Sequence, residues 1–138
     1  DMLQAMNTGH EGSMTTLHAN SPRDALARLE TLVLMAGMDL PLAAIREQIA
    51  SAVDIVVQQT RFACGARRVT SITELTGMEG GRIQLQELFR FERRGADAAV
   101  ADPGGGHFTG CEAVPGFYDE LRRQGLALDL HLFDRRRP

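Results

Sequence analysis

The sequence predicts an α/β fold, and three observations support that prediction. Residues 14–19 are enriched in Thr and Leu and lie between Gly12 and Asn20, as a short strand would. Two stretches with apolar residues at helical spacing follow. From Asp54 onward the apolar period falls from about 3.6 to about 2, and glycine turns separate three further runs, as in an antiparallel meander. A strand, a polar turn and a helix in this order indicate one unit of an α/β sheet.

The first residues read as part of a helix. Residues 1–6 have amphipathic spacing with no capping residue before them, and Gly9 suits the left-handed position that commonly follows a helix. Because a helix normally begins with a cap, we expect the chain to be a fragment cut inside a larger domain.

The next helix has the clearest start in the sequence. Ser21 is the predicted N-cap, Pro22 takes the first helical position, and Asp24 lies near the positive end of the helix dipole. Gly37 is expected to end this helix, and a second one is predicted to begin at residues 39–41. The second helix would present Leu42, Ile45, Ile49 and Val53 on its apolar face and Arg46, Glu47 and Gln48 to solvent.

The rest of the chain divides by composition. Strands are predicted over residues 55–60, 68–76 and 83–89. Residues 95–107 are dominated by Ala, Asp and Gly and predict a flexible linker or a long hairpin loop. A helix over residues 115–124 and a run of alternating apolar residues to Phe133 complete a small appendage.

Composition limits the possible functions. The chain has 138 residues, 43% of them hydrophobic, and a net charge of −3, as expected for one soluble globular domain. This charge argues against a direct nucleic-acid partner, and the cationic run Arg135-Arg136-Arg137 is expected to be a solvated tail. No apolar run approaches the roughly 20 residues that a membrane span needs, so any membrane association would be peripheral.

Two cysteines, Cys64 and Cys111, lack the spacing of a metal or redox motif. We expect them to be unpaired in a reducing, cytosolic compartment.

The candidate chemistry lies in two histidines: His10, in the Gly-rich turn before the predicted strand, and His18, near the end of that strand. A histidine near a strand end can donate a hydrogen bond to a phosphate oxygen or to a catalytic carboxylate. The alternative is a pair of loop histidines satisfied by backbone carbonyls, and spacing alone favours it. A zinc site built on His10, Glu11 and His18 is not expected, because the two histidines lack helical spacing and no fourth ligand is evident.

The region around these histidines resembles a known motif. It carries the runs Asp1-Met2-Leu3-Gln4-Ala5-Met6-Asn7-Thr8-Gly9-His10-Glu11-Gly12-Ser13 and Thr15-Thr16-Leu17-His18-Ala19-Asn20-Ser21-Pro22. Together they resemble the histidine box of the secretion-ATPase superfamily, the motors of type II secretion, type IV secretion and type IV pili. Residues 46–54, 72–74 and 77–79 match the superfamily as well. The likeness is nearest to the CpaF branch, which drives Tad/Flp pilus assembly.

The resemblance implies a fold and a set of site residues. It implies the C-terminal half of a RecA-like P-loop NTPase domain over residues 1–92, which would include the antiparallel meander. The composition of the rest adds a linker or loop over 93–107 and a small helical appendage over 108–138. His10 and His18 match catalytic positions, and His18 would approach the γ-phosphate of ATP. The matched nucleotide-binding positions are Thr8, Gly9, Gly12, Thr16, Asn20 and Arg28. An alternative for Arg28 is an ion pair with Asp24 on the helix surface.

The resemblance also implies ATP and Mg²⁺ as cofactors and a homo-hexamer that works with inner-membrane platform proteins. It places the protein in the cytoplasm, peripheral to that membrane. The chain departs from the superfamily because it has no Gly-Lys-Ser/Thr loop, and the acidic motifs that hold Mg²⁺ are also missing. We therefore expect the fragment alone not to hydrolyse ATP. Two alternatives stay open: a type IV secretion or conjugative transfer ATPase, and a non-catalytic interaction module.

Overall fold

The computed structural model describes residues 12–37, 39–95 and 102–137. Within these residues the chain forms three α-helices, four strands and one 3-10 helix. In chain order they are α1 (Pro22–Met35), α2 (Leu42–Ala52), β1 (Ile55–Arg61), β2 (Arg67–Glu79), β3 (Arg82–Arg93), β4 (Gly106–Gly110), α3 (Phe117–Arg123) and the 3-10 helix Leu130–Phe133. None of the described helices is both long and apolar enough to cross a membrane.

The four strands form one antiparallel sheet in the order β1-β2-β3-β4. The first three strands confirm the predicted meander. Gly80 and Gly81 both have positive φ in the turn between β2 and β3, a backbone conformation that glycine adopts without steric cost. The RecA-like classification stays a prediction.

Strand β4 was not predicted from the sequence. Its first two residues lie in the stretch expected to be a linker or loop, and the other three lie at the start of the predicted appendage. It pairs with β3 in antiparallel register, with Phe91 opposite Phe108 and Arg93 opposite Gly106. A Cβ on Gly106 would collide with the carbonyl of Glu92 and the ring of Phe91, so the close approach of the two backbones requires glycine. The composition of this stretch indicated a flexible loop, but backbone pairing with β3 makes it a strand.

The strand predicted over residues 14–19 is wrong. The described residues 12–19 have no regular secondary structure. A β-strand is defined by backbone hydrogen bonds to a neighbouring strand, and Thr and Leu enrichment cannot supply that neighbour. The predicted helix end over residues 1–6 and its terminator Gly9 lie outside the described residues.

Helix α1 begins and ends where the sequence predicts. The Asp24 N–H donates to the Ser21 hydroxyl at 3.0 Å, which satisfies one of the free N–H groups of the first turn. Gly37 has φ +81 just beyond the helix. Leu32 in this helix is 52% exposed, whereas its neighbour Val33 is buried.

Helix α2 confirms most of its predicted apolar face. Ile45 and Ile49 are fully buried, and Val53 is half-buried beyond the last helical residue. Leu42 is 43% exposed because it lies at the first helical residue, where the chain has just entered the helix. Arg46 was predicted to face solvent; it is half-buried in an ion pair with Glu30.

The described chain divides into two compact units. Unit 1 comprises Asp1–Val56 and Leu75–Leu85, and unit 2 comprises Val57–Glu74 and Gln86–Pro138. The core of unit 1 consists of buried side chains from α1, α2 and the strand ends that belong to this unit. They are Leu26, Val33, Ile45, Ile49, Ala52, Leu75 and Ile83.

Unit 2 is organised by aromatic contacts around Phe133, which is buried. Its ring centroid lies 5.3 Å from that of Phe89 and 5.1 Å from that of Tyr118 in α3. Phe89 also stacks on Phe108 at 5.7 Å. The alternating apolar residues before Phe133 do not form a strand, because the last of them lie in the 3-10 helix.

The C-terminal run Arg135-Arg136-Arg137 is not simply solvated. Its side chains are exposed, but the Arg136 N–H donates to the buried Thr109 hydroxyl at 2.6 Å. The Arg136 carbonyl lies 3.0 Å from the His107 ring nitrogen. The prediction considered side-chain charge alone, whereas backbone hydrogen bonds hold this segment against β4. Cys64 and Cys111 are both unpaired, as expected.

The Ser21 cap predicts a measurable stability effect. Ser21→Ala removes the acceptor of the Asp24 N–H and should lower the free energy of unfolding by about 1 kcal/mol. Urea unfolding followed by circular dichroism would measure it. Ser13→Ala, in the exposed irregular segment, is the control and should change stability by less than about 0.5 kcal/mol. Equal stability of the two variants would contradict the capping assignment.

Two substitutions in α2 separate its buried and exposed apolar positions. Ile49→Ala leaves a cavity at a fully buried site and should cost about 2–5 kcal/mol. Leu42→Ala removes a side chain of the same size at a 43% exposed site and should cost less than about 1 kcal/mol. The same unfolding measurement compares them, and a cost for Leu42→Ala as large as that for Ile49→Ala would disprove this ranking.

Candidate functional site

The segment that leads into α1 displays His18. Exposure alternates along it: Leu17 and Ala19 are half-buried, whereas Thr16, His18 and Asn20 are exposed. Three predicted site residues are therefore open to solvent in the same short stretch. The other predicted site residues of this region, Thr8, Gly9 and His10, lie outside the described residues.

Gly12 is exposed, with φ +85 and no heavy atom within 4 Å of the place where a Cβ would stand. This positive φ is one that side chains other than glycine rarely adopt. Among the described residues, nothing therefore contacts the position of a Cβ on Gly12, and its part in nucleotide binding stays a prediction.

A carboxylate fixes the end of this segment to the helix. Asp24 Oδ2 accepts a hydrogen bond from the Asn20 N–H at 2.9 Å, while the Asp24 N–H donates to Ser21. This reciprocal pair resembles a capping box and connects the residues just before α1 to its first turn. The Asn20 N–H, with a smaller contribution from Arg28, holds the pKa of the Asp24 carboxyl below its usual value.

Arg28 binds the same carboxylate oxygen as the Asn20 N–H. Its Nε lies 3.3 Å from Asp24 Oδ2, one helical turn away, and its side chain is 55% exposed. The structure thus contains the ion pair that the sequence offered as an alternative for Arg28. An exposed pair of this kind contributes little to stability. Arg28 and Asn20 are brought together through Asp24.

Sequence reasoning missed a second feature of unit 1. A cavity of about 300 Å³ lies between α1, α2 and the turn from β2 to β3. Its charged lining residues are Arg23, Glu30, Arg46 and Arg82, and its other lining residues are Leu26, Ala27, Gly80, Gly81 and Ile83. These arginines are far apart in the sequence, so only the packing of unit 1 brings them together.

The described residues contain no cluster of three or more His, Cys, Asp and Glu side chains that could hold a metal ion. Two of the residues weighed for a zinc site, His10 and Glu11, lie outside the described part of the chain. Of the three, the structure shows only His18, whose imidazole can serve as a hydrogen-bond donor to an anionic ligand.

Comparison with known proteins identifies the family of this chain. The family model described as type II/IV secretion system protein matches residues 1–107. This match includes the exposed segment with His18, helices α1 and α2, and the first three strands.

Individual relatives agree with that match. The chain is 40% identical over 101 residues to a protein of Mycobacterium tuberculosis that is provisionally named a conjugal transfer protein. That alignment covers 73% of this chain and 28% of the relative. The chain is 36% identical over 91 residues to the conjugal transfer protein TrbB of Rhizobium radiobacter, covering 66% of this chain and 27% of that protein. The chain thus spans little more than a quarter of the length of these relatives.

The family match covers most of the chain, and the relative from Mycobacterium tuberculosis aligns over 73% of it. The chain therefore belongs to the type II/IV secretion system protein family.

Proposed function

We propose that the chain is part of an ATPase that powers a secretion-type machine, and that His18 acts at its nucleotide. The observation that carries this proposal is the exposed His18 segment within a family match over residues 1–107. In this account His18, together with His10, contacts the γ-phosphate of ATP. An imidazole there donates a hydrogen bond to a phosphate oxygen and stabilises charge that develops during phosphoryl transfer.

The start of α1 would position His18 for this role. Asp24 holds the backbone of Asn20, two residues after His18, and so limits where the imidazole can lie. The other proposed nucleotide-binding residues are Thr8, Gly9, Gly12, Thr16, Asn20 and Arg28. Arg28 would act through its other two guanidinium nitrogens while its Nε remains paired with Asp24.

ATP and Mg²⁺ are the proposed cofactors, and the residues present fit only part of their site. His18 and the open backbone near Gly12 suit phosphate oxygens. The 138 residues contain no Gly-Lys-Ser/Thr loop to hold the triphosphate and Mg²⁺. Because the chain spans 28% of a relative, we propose that this loop belongs to the rest of the full-length protein. Residues 1–138 alone should then not hydrolyse ATP.

The full-length protein is proposed to form a homo-hexamer at the cytoplasmic face of the inner membrane and to act on platform proteins of the machine. Its RecA-like half, residues 1–92, would carry the nucleotide contacts. The antiparallel strands and the appendage over 108–138 would contribute to subunit packing, with residues 93–107 as the linker or loop between them. The family match supports the assignment of the nucleotide contacts to residues 1–92, since it contains all of these residues.

Two machines are candidates for this motor. The resemblance to the CpaF branch favours assembly of a Tad/Flp pilus. Conjugal transfer is the second candidate, because the relatives described above are named for it. Both use the same proposed chemistry and differ in what the motor moves.

The proposed role of His18 is tested by His18→Ala in the full-length protein. We expect kcat for ATP hydrolysis to fall by about 100-fold, the usual cost of removing one donor to transition-state charge. The unfolding midpoint should stay unchanged because His18 is exposed. A coupled phosphate-release assay and a thermal melt give the two measurements.

His131→Ala is the matched control, since His131 is also exposed and lies in unit 2. It should keep the wild-type kcat. If His18→Ala also keeps it, His18 has no part in turnover and the proposal fails.

The machine is identified by deleting the gene from its host. Deletion should abolish surface pili seen by electron microscopy if the motor assembles a pilus, while transfer of a marked plasmid should stay normal. Loss of plasmid transfer with intact pili would instead establish the conjugative alternative. Complementation with the wild-type gene should restore the lost phenotype, and complementation with His18→Ala should not.

A further inference from the structure

The cavity of unit 1 concentrates positive charge. Arg23 comes from the first turn of α1, Arg46 from α2 and Arg82 from the first residue of β3. Glu30 supplies the one carboxylate among the lining residues, so the three guanidinium groups leave a net charge of +2 on its wall.

The contacts of these arginines show which charges are compensated. Arg46 Nε pairs with Glu30 Oε1 at 2.8 Å, and its Nη1 donates to the Gly81 carbonyl at 3.2 Å. Arg23 Nη1 donates to a neutral partner, the Ile83 carbonyl, at 2.8 Å. Within the described residues, the Arg82 guanidinium makes no hydrogen bond or ion pair.

Two cations therefore line the same cavity without a carboxylate of their own. Like charges held close together repel each other, and an anion between them relieves that repulsion. The turn beside them leaves room for one. A Cβ placed on Gly80 or Gly81 would meet no heavy atom within 4 Å, so the backbone there is open.

We propose that this cavity binds a phosphate-bearing small molecule. A phosphate group carries a charge of about −1.5 to −2 at neutral pH, which matches the uncompensated charge of the wall. Its tetrahedral oxygens can accept hydrogen bonds from several directions, as arginines from separate elements require, whereas a carboxylate offers two oxygens in one plane. The cavity volume of about 300 Å³ suits a small ligand.

This site is separate from the proposed ATP contact. No residue of the segment that displays His18 lines the cavity. Loss of ATP hydrolysis and loss of anion binding should therefore be independent, and each proposal can fail alone.

The experiment uses the full-length protein with its ATP site filled by a non-hydrolysable analogue and the excess removed. Isothermal titration with pyrophosphate should reveal one site per chain. Arg82→Gln should weaken this binding by about tenfold or more, because it removes a charged donor that has no other described partner. Arg23→Gln should have a similar effect, and His18→Ala should have none.

Arg67→Gln is the matched control. Arg67 is exposed at the start of β2 and does not line the cavity, so this variant has the same net charge as Arg82→Gln. Its pyrophosphate affinity should equal that of the wild type. Should Arg82→Gln fail to fold, Arg82→Lys keeps the charge, loses the planar fork and should still weaken binding.

Three results would overturn the proposal. They are the absence of binding heat in the wild type, an equal loss of affinity in Arg67→Gln, and an equal affinity for citrate. Citrate carries its charge on carboxylates, so equal binding of citrate would show a general cationic surface and not a phosphate site.

Discussion

The burial of Ile45 and Ile49 is the constraint on which the functional features of unit 1 depend. Both side chains are completely removed from solvent in a cluster with Leu26, Leu75 and Ile83. Fully burying such a side chain contributes roughly 1.5–3 kcal/mol, and no polar interaction described in this unit has a comparable effect. This cluster fixes α1 against α2 and the strand ends of the unit. Both the segment that enters α1 and the arginines around the cavity take their positions from it.

From that fixed helix, a few polar groups determine how the chain enters α1. Asp24 accepts the Asn20 N–H and the Arg28 guanidinium, and its own N–H is bound by Ser21. Each bond is weak by itself, and the two that the Asp24 carboxylate accepts are exposed to solvent. Together they orient the residues just before α1, which carry the exposed imidazole of His18. A histidine with few contacts can thus be held in a defined place by the helix that follows it.

The same packing explains why the arginines of unit 1 have different roles. Arg28 and Arg46 are each engaged with a carboxylate. Arg23 donates a hydrogen bond to a backbone carbonyl. The Arg82 guanidinium makes no hydrogen bond or ion pair with the described residues. A spacing rule along a helix predicts the first pair, Arg28 with Asp24, since the two residues are one turn apart. It cannot predict the arrangement around the cavity, because Arg23 and Arg82 line one cavity only after α1 packs beside the turn from β2 to β3.

The sequence by itself determined what local chemistry controls. It predicted the Ser21 cap, the stop at Gly37, the meander and the family, because caps, turns and apolar periods depend on residues close together in the chain. The sequence-based prediction was wrong for residues 14–19, where Thr and Leu indicated a strand that does not form. It also missed the strand Gly106–Gly110, because a glycine-rich composition indicates a loop. A strand exists only through its neighbour, so only the tertiary structure decided which extended segments pair. It likewise decided the arginine cavity and the docking of Arg136 on Thr109, since both join residues that are far apart in the chain.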